Sequence, residues 1–267
     1  GYTRLATLLR QERAAAETPV VTLDAGDFSM GSLFQTIYAT DAPELRALGQ
    51  MGYDVTTLGN HEFDYRARGL AEMLGAAVDS GDRLPAVVQA NYKPPAGDGA
   101  TRAAWENYGI GDYVVLERDG VRVAVFGLLG VDADECAPMS GMEFTPLAQA
   151  AQRVVETIQA QEAADYIVCL SHSGTTDGKG EDYELAKAVD GIDVIISGHT
   201  HSATQEPIRV NDTLIVSCGE YTRNLGVLTV EKTGEGLDTL DFRLVPIDET
   251  VTEDAAMTAM ARRFQQK

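Results

Sequence analysis

Val194-Ile195-Ile196-Ser197-Gly198-His199-Thr200-His201-Ser202 is the stretch on which the reading of this chain turns. An apolar run stops at a glycine, and two histidines one residue apart follow. The chain has four histidines in 267 residues. The other two also sit just past apolar runs, in Thr56-Thr57-Leu58-Gly59-Asn60-His61-Glu62 and Ile167-Val168-Cys169-Leu170-Ser171-His172. A lone histidine is more often structural than functional. Four out of four at the same kind of place is not a packing pattern. Neutral imidazole is the commonest protein metal ligand, and open α/β sheets build their sites outside strand ends. The pattern points to a polynuclear metal site.

Composition narrows the class. Hydrophobic residues make up 44% of the chain, enough for a proper core. No apolar run approaches the ~20 residues of a membrane span. Lys plus Arg number 21 against 41 for Asp plus Glu, a net charge of -20. That argues against a protein that coats nucleic acid, which needs a basic face. An anionic small substrate stays open. Surface charge is screened over about 8 Å at physiological salt, and bound divalent cations would dominate the field inside a site. Cys136, Cys169 and Cys218 are too few and too scattered for a disulfide framework or a zinc ribbon. Cys169 and Cys218 lie in apolar runs and read as buried small hydrophobes.

Outward from the opening stretch, periodicity predicts alternating helices and strands. Leu5 to Arg13 reads as an amphipathic helix, Val20 to Leu23 as a strand ending in Asp24-Ala25-Gly26-Asp27, and Ala42 to Met51 as helical. Asp54 to Leu58 is a strand, Arg66 to Asp79 a helix, and Pro85 to Gln89 a strand ending at Asn91-Tyr92. Residues 93 to 109 and 132 to 144 read as loops. Tyr113 to Gly127 is a hairpin turning at Asp119-Gly120. A helix from Pro146 to Ala164 leads to the strand that ends at His172, and a helix from Asp182 to Val189 leads back to the opening stretch. Thr213 to Ser217, Leu225 to Glu231 and Leu240 to Val245 form a meander, and Glu253 to Gln266 a closing helix. Strand–helix alternation followed by a meander suggests two packed sheets with helices outside.

Four strand ends deliver polar groups: Gly26-Asp27, Gly59-Asn60-His61, His172 and Gly198-His199-x-His201. A carboxylate such as Asp27 can place an oxygen on each of two ions, and an asparagine oxygen is a neutral ligand. Imidazoles with mixed oxygen donors suit several divalent metals. Two ions ~3.5–4 Å apart can clamp the attacking and leaving oxygens of an in-line displacement. Glu62 reads as structural and Asp24 as a turn residue. His61-Glu62 does not open a zincin helix, because Tyr65 and Arg66 stand where that pattern needs histidine. Asn91 and Arg223 are the candidates for contacting a phosphate.

The order Gly-Asp, Gly-Asn-His-Glu, a lone His and Gly-His-x-His resembles the calcineurin-like metallophosphoesterases. Gly59-Asn60-His61-Glu62-Phe63-Asp64-Tyr65 and Ala25-Gly26-Asp27-Phe28 look like their branch of 5'-nucleotidases and cyclic-nucleotide phosphodiesterases. The resemblance implies a four-layer α/β/β/α sandwich of two mixed sheets. It implies a dinuclear centre of two divalent ions, with Mn, Zn, Mg, Fe and Ca not distinguished. Asp27 would bridge the ions, Asn60, His172 and His199 would complete one shell, and His201 would serve the other ion. His61 would assist the leaving oxygen, with Asp64 orienting its ring.

The expected reaction is hydrolysis of nucleotide phosphate esters by metal-hydroxide attack. Alternatives are 2',3'-cyclic nucleotides, UDP-sugars, a sulfur-linked ester, or a metal-poor domain without catalysis. The family also carries an Asp-x-His motif, which has no counterpart here, since no histidine precedes His61. Residues 1 to 267 are therefore expected to be one metallophosphoesterase domain, lacking that N-terminal strand and a C-terminal nucleotidase domain. The second ion would keep only Asp27 and His201. A periplasmic, cell-surface or secreted location is implied by the resemblance.

Overall fold

The computed structural model describes residues 1–267. Its helices are α1 (Tyr2–Ala15), α2 (Tyr38–Asp41), α3 (Pro43–Met51), α4 (Arg66–Asp79), α5 (Gly99–Tyr108), α6 (Val131–Glu135), α7 (Leu147–Gln161), α8 (Glu181–Ala188) and α9 (Ala255–Gln265). Its strands are β1 (Val55–Thr56), β2 (Ala86–Val87), β3 (Tyr92–Lys93), β4 (Tyr113–Arg118), β5 (Val121–Leu129), β6 (Glu143–Phe144), β7 (Tyr166–His172), β8 (Val194–Ser197), β9 (Ile208–Val210), β10 (Thr213–Val216), β11 (Asn224–Thr233) and β12 (Gly236–Pro246).

Three apolar cores separate four layers, as the two faces of each strand require. The large sheet runs β4-β5-β7-β8-β10-β9. Its inner strands β5, β7, β8 and β10 are mutually parallel, and β4 and β9 close the edges antiparallel. Ala124, Phe126, Ile167, Cys169, Ile195 and Ile215 point to one face and meet Val154, Val155 and Ile158 of α7 and Leu185 of α8. Alternate residues Val123, Val125, Val168, Leu170, Val194 and Leu214 point the other way, against Val55 and Val88. That second sheet layer is thin: β1 pairs with β2, and Leu23 joins Val55 through a single bridge. Beyond it lies the core of α1, α3, α4 and α9, with Leu9, Leu48, Leu70, Met73 and Met260 fully buried. The β11–β12 hairpin adds Leu228, Val230, Leu237 and Phe242 to the core between the sheets. Arg243 clamps it to α1 through a bidentate pair with Glu12 at 2.6 and 2.7 Å.

Four expectations change. Residues 93 to 109 are not all loop. Asp98 caps α5 by accepting from the Thr101 N–H, and Gly109 ends it in a left-handed turn at φ 88°. Only Thr101 and Trp105 of that helix are buried, so its periodicity is faint. Residues 132 to 144 contain α6 and β6. Helix α6 is started by Glu181, whose carboxylate accepts from the Val131 and Asp132 N–H groups, a cap 50 residues away that no local pattern reveals. The strand expected at Val20 to Leu23 contributes only the Leu23 bridge. Cys169 is buried as expected, whereas Cys218, two residues past the end of β10, is exposed. No helix is long and apolar enough to cross a membrane.

Glu44 on α3 is 3% exposed, and neither carboxylate oxygen has a hydrogen-bond partner. Burial, with the nearby Glu62 charge, pushes its pKa from 4.5 to about 8. The folded state therefore binds a proton that the unfolded chain has released. Glu44 contributes its full stability below pH 4.5 and loses it as pH rises towards 8. Glu44→Gln should flatten this slope. Denaturant midpoints at pH 5.5 and 8.5 should differ less in the variant than in the wild type. An unchanged difference would mean that Glu44 does not titrate in that window.

Candidate active site

The parallel strands of the large sheet all end on one rim. Past β5 stands Asp132, β7 ends in His172, β8 leads to His199 and His201, and β10 leads to Glu220. From the second layer, the chain after Leu23 brings Asp27, and β1 leads to Asn60 and His61. The rim is where ligands bind in sheets of this kind.

The structure gathers Asp27, Asn60, His172 and His199. His172 is 1% exposed and held at both nitrogens. Its Nδ1 donates to the Ala25 carbonyl at 2.8 Å, and its Nε2 lies 2.9 Å from Asp27 Oδ2 and 3.1 Å from Asn60 Oδ1. Burial opposes charge on this ring, but the Asp27 carboxylate outweighs it and pushes the pKa to about 9. Asp27 shows the reverse balance: burial pushes its carboxyl up, and the His172 charge holds it below the usual range. Ligand atoms of Asp27, His172 and His199 lie within 4.8 Å of one another.

Tight backbone makes this convergence possible. A Cβ on Gly59 would sit 2.2 Å from Asp27 Oδ1, and one on Gly198 would sit 3.0 Å from both His172 Nδ1 and the Ala25 carbonyl. Asp27, His199 and His201 adopt left-handed backbone at φ 60°, 73° and 58°. Such conformations cost roughly 1–3 kcal/mol each and persist where the surroundings over-determine them.

Glu62 is the buried clamp. It is 0% exposed. Its Oε2 accepts from the Gly59 N–H at 2.5 Å and the Asp27 N–H at 2.9 Å, and its Oε1 from the Ser29 N–H at 3.1 Å. Burial and the Asp27 charge push its pKa to about 7. Asp24 is a turn residue as expected, accepting from the Gly26 N–H and the Thr56 hydroxyl.

Beside this group stands His61. Its backbone N–H donates to Asp27 Oδ1 at 2.8 Å, while its ring Nδ1 lies 3.0 Å from Asp64 Oδ2. Gln35 in turn donates to Asp64 Oδ2 at 2.8 Å. The ring is about one-third exposed and keeps Nε2 uncommitted.

His201 stands apart. It is half exposed and pairs through Nδ1 with Glu220 at 2.5 Å. It belongs to neither of the two clusters whose ligand atoms could share an ion, Asp27–His172–His199 and Asp132–Cys136–His199. Arg223 is exposed at the same corner, 3.3 Å from Glu220.

Asn91 corrects the sequence reading. It is 1% exposed, and its amide is fully used. Nδ2 donates to the Leu129 and Thr145 carbonyls, and Oδ1 accepts from the Leu129 N–H. It ties strands together and has no donor left for a phosphate. Asp132, Glu220 and Gln35 were not singled out from sequence. For the first two a signal existed: Leu128-Leu129-Gly130-Val131-Asp132 and Val216-Ser217-Cys218-Gly219-Glu220 repeat the apolar-run, glycine, polar pattern of the other strand ends.

A two-sheet sandwich whose strand ends gather carboxylate, amide and imidazole donors is the architecture of a metallo-dependent phosphatase. The chain belongs to the calcineurin-like phosphoesterases, whose family pattern matches residues 1–203. That is a family of hydrolases acting on phosphate ester bonds. The chain is 34% identical over 263 residues to the trifunctional nucleotide phosphoesterase protein YfkN of Bacillus subtilis, covering 88% of this chain and 17% of that protein. It is 25% identical over 320 residues to a 5'-nucleotidase of Vibrio cholerae, covering 100% of this chain and 54% of that one. The crystal structure of a 5'-nucleotidase precursor from Thermus thermophilus matches with a TM-score of 0.81 at 25% identity, covering 100% of this chain and 53% of that one. The chain thus spans between 17% and 54% of the length of these three proteins.

Proposed function

We propose that this site hydrolyses phosphate esters of nucleotides, as a 5'-nucleotidase does, with divalent metal bound at the sheet rim. The convergence of Asp27, Asn60, His172 and His199, with the His61–Asp64 pair beside it, carries the reading. The donor set fits an ion. Asp27 Oδ2 and Asn60 Oδ1 converge on His172 Nε2 at 2.9 and 3.1 Å, so oxygen and nitrogen donors already face one another there. Two imidazoles with carboxylate and amide oxygens suit Zn, Mn or Fe. One ion would be held by these four residues, whereas His201, paired with Glu220, lies outside that group. Bound ions supply Lewis-acid charge to the phosphoryl oxygens and acidify a water.

The chain's own residues do the rest. Asp27 presents one oxygen to the donor group while the His61 N–H holds the other. The carboxylate of Asp64 accepts from His61 Nδ1 and orients the ring, which leaves Nε2 to serve the leaving oxygen as proton donor. An exported location goes with this reading, as the family resemblance implies, and cell fractionation tests it.

The test is phosphate release from a panel of nucleoside monophosphates, with 2',3'-cyclic nucleotides and UDP-sugars alongside, in Mn or Zn. Saturable release that EDTA abolishes is expected. No release from any member of the panel, by protein shown to hold metal, would contradict the proposal.

A further inference from the structure

The four histidines differ in which ring nitrogen the protein occupies. In His61, His172 and His201 the orienting partner is at Nδ1: Asp64, the Ala25 carbonyl and Glu220. In His199 it is at Nε2, where Asp132 Oδ2 lies 2.6 Å away. An ionised carboxylate only accepts, so Nε2 of His199 carries the hydrogen and, in the neutral ring, Nδ1 keeps the lone pair.

His199 also stands with Asp27 and His172 in a group whose ligand atoms lie within 4.8 Å. We infer that Asp132 is a positioning residue, which locks His199 in its Nε2–H tautomer and makes Nδ1 the nitrogen that faces a metal. The inference rests on the metal-site reading above and adds to it a residue and an atom. Its physical basis is general: a ligating histidine donates its other N–H to a carboxylate or carbonyl, and that partner sets tautomer and ring orientation.

The surroundings favour this role. Asp132 lies in the first turn of α6, and Glu181 pins both its N–H and that of Val131. The backbone that carries it is therefore pinned, while its side chain is 70% exposed, against 10% for His199. A pair this open to water adds little to folding stability. What it selects is which nitrogen of a nearly buried ring is free. Cys136, four residues on, also has its sulfur within the 4.8 Å group of Asp132 and His199. A separate metal cluster at that exposed corner is thus the competing account.

The whole protein, wild type and Asp132→Ala, Asp132→Asn and Cys136→Ser, is titrated with Mn or Zn by calorimetry and chelator competition. Melting of the metal-free forms is followed in parallel. Asp132→Ala should weaken metal binding roughly 10–100-fold with the metal-free melting temperature unchanged. Asp132→Asn, which keeps an oxygen acceptor, should restore most of the affinity, and Cys136→Ser should bind like wild type. Wild-type affinity in Asp132→Ala overturns the inference, as does equal weakening in Asp132→Ala and Cys136→Ser. A wild type that binds no metal overturns the metal-site reading itself, and the inference with it.

Discussion

His61→Ala is expected to lower kcat by roughly 10²–10⁴-fold, the usual worth of a positioned proton donor, while leaving bound metal unchanged. The two halves of this result come from different atoms of one residue. The ring carries the proton chemistry, with Nδ1 held by Asp64 and Nε2 uncommitted. The backbone N–H supports the metal side by donating to Asp27 Oδ1 at 2.8 Å, and alanine keeps that N–H. Asp64→Asn should give a smaller loss, because an amide oxygen still accepts from Nδ1 and holds the ring. Steady-state kinetics together with metal content of the same preparations check this. Loss of metal along with activity in His61→Ala would show that the ring is a ligand, contrary to the assignment here.

Glu62→Gln is expected to destabilise the fold by about 3 kcal/mol and to lower metal affinity with it. Three N–H groups, from Gly59, Asp27 and Ser29, converge on this one buried carboxylate. A glutamine offers one oxygen and sets an NH₂ against at least one of those donors, leaving buried polar groups unpaired. The cost is not confined to stability, because the clamp joins the loop that presents Asp27 to the loop that presents Asn60 and His61. Denaturant unfolding and metal titration of the variant measure both effects. A midpoint within experimental error of wild type would show that the clamp is dispensable.

The fold was legible where burial is one-sided or complete. Arg66 to Asp79 reads as α4 because Leu70, Met73, Leu74 and Ala77 recur at helical spacing, all fully buried. The central strands read as apolar runs because both faces pack, as with Val168 against one core and Cys169 against the other. Helices α5 and α6 did not read, since they depend on a faint buried face and on a cap from Glu181. The rim residues with distinctive chemistry were visible as residues past apolar runs. Their division of labour was not. Asn91 looks like its neighbours in sequence, yet its amide is spent on Leu129 and Thr145. Asp132 lies in the sequence 67 residues from His199, and only the parallel order of β5, β7 and β8 brings their ends together.

Crystals of the protein grown with Mn and measured at the manganese absorption edge would locate the ion. An anomalous peak is expected between Asp27, Asn60, His172 Nε2 and His199 Nδ1, at about 2.0–2.3 Å from each. An anomalous peak at Asp132 and Cys136 instead, or none at the rim in crystals whose protein binds Mn in solution, would contradict that placement.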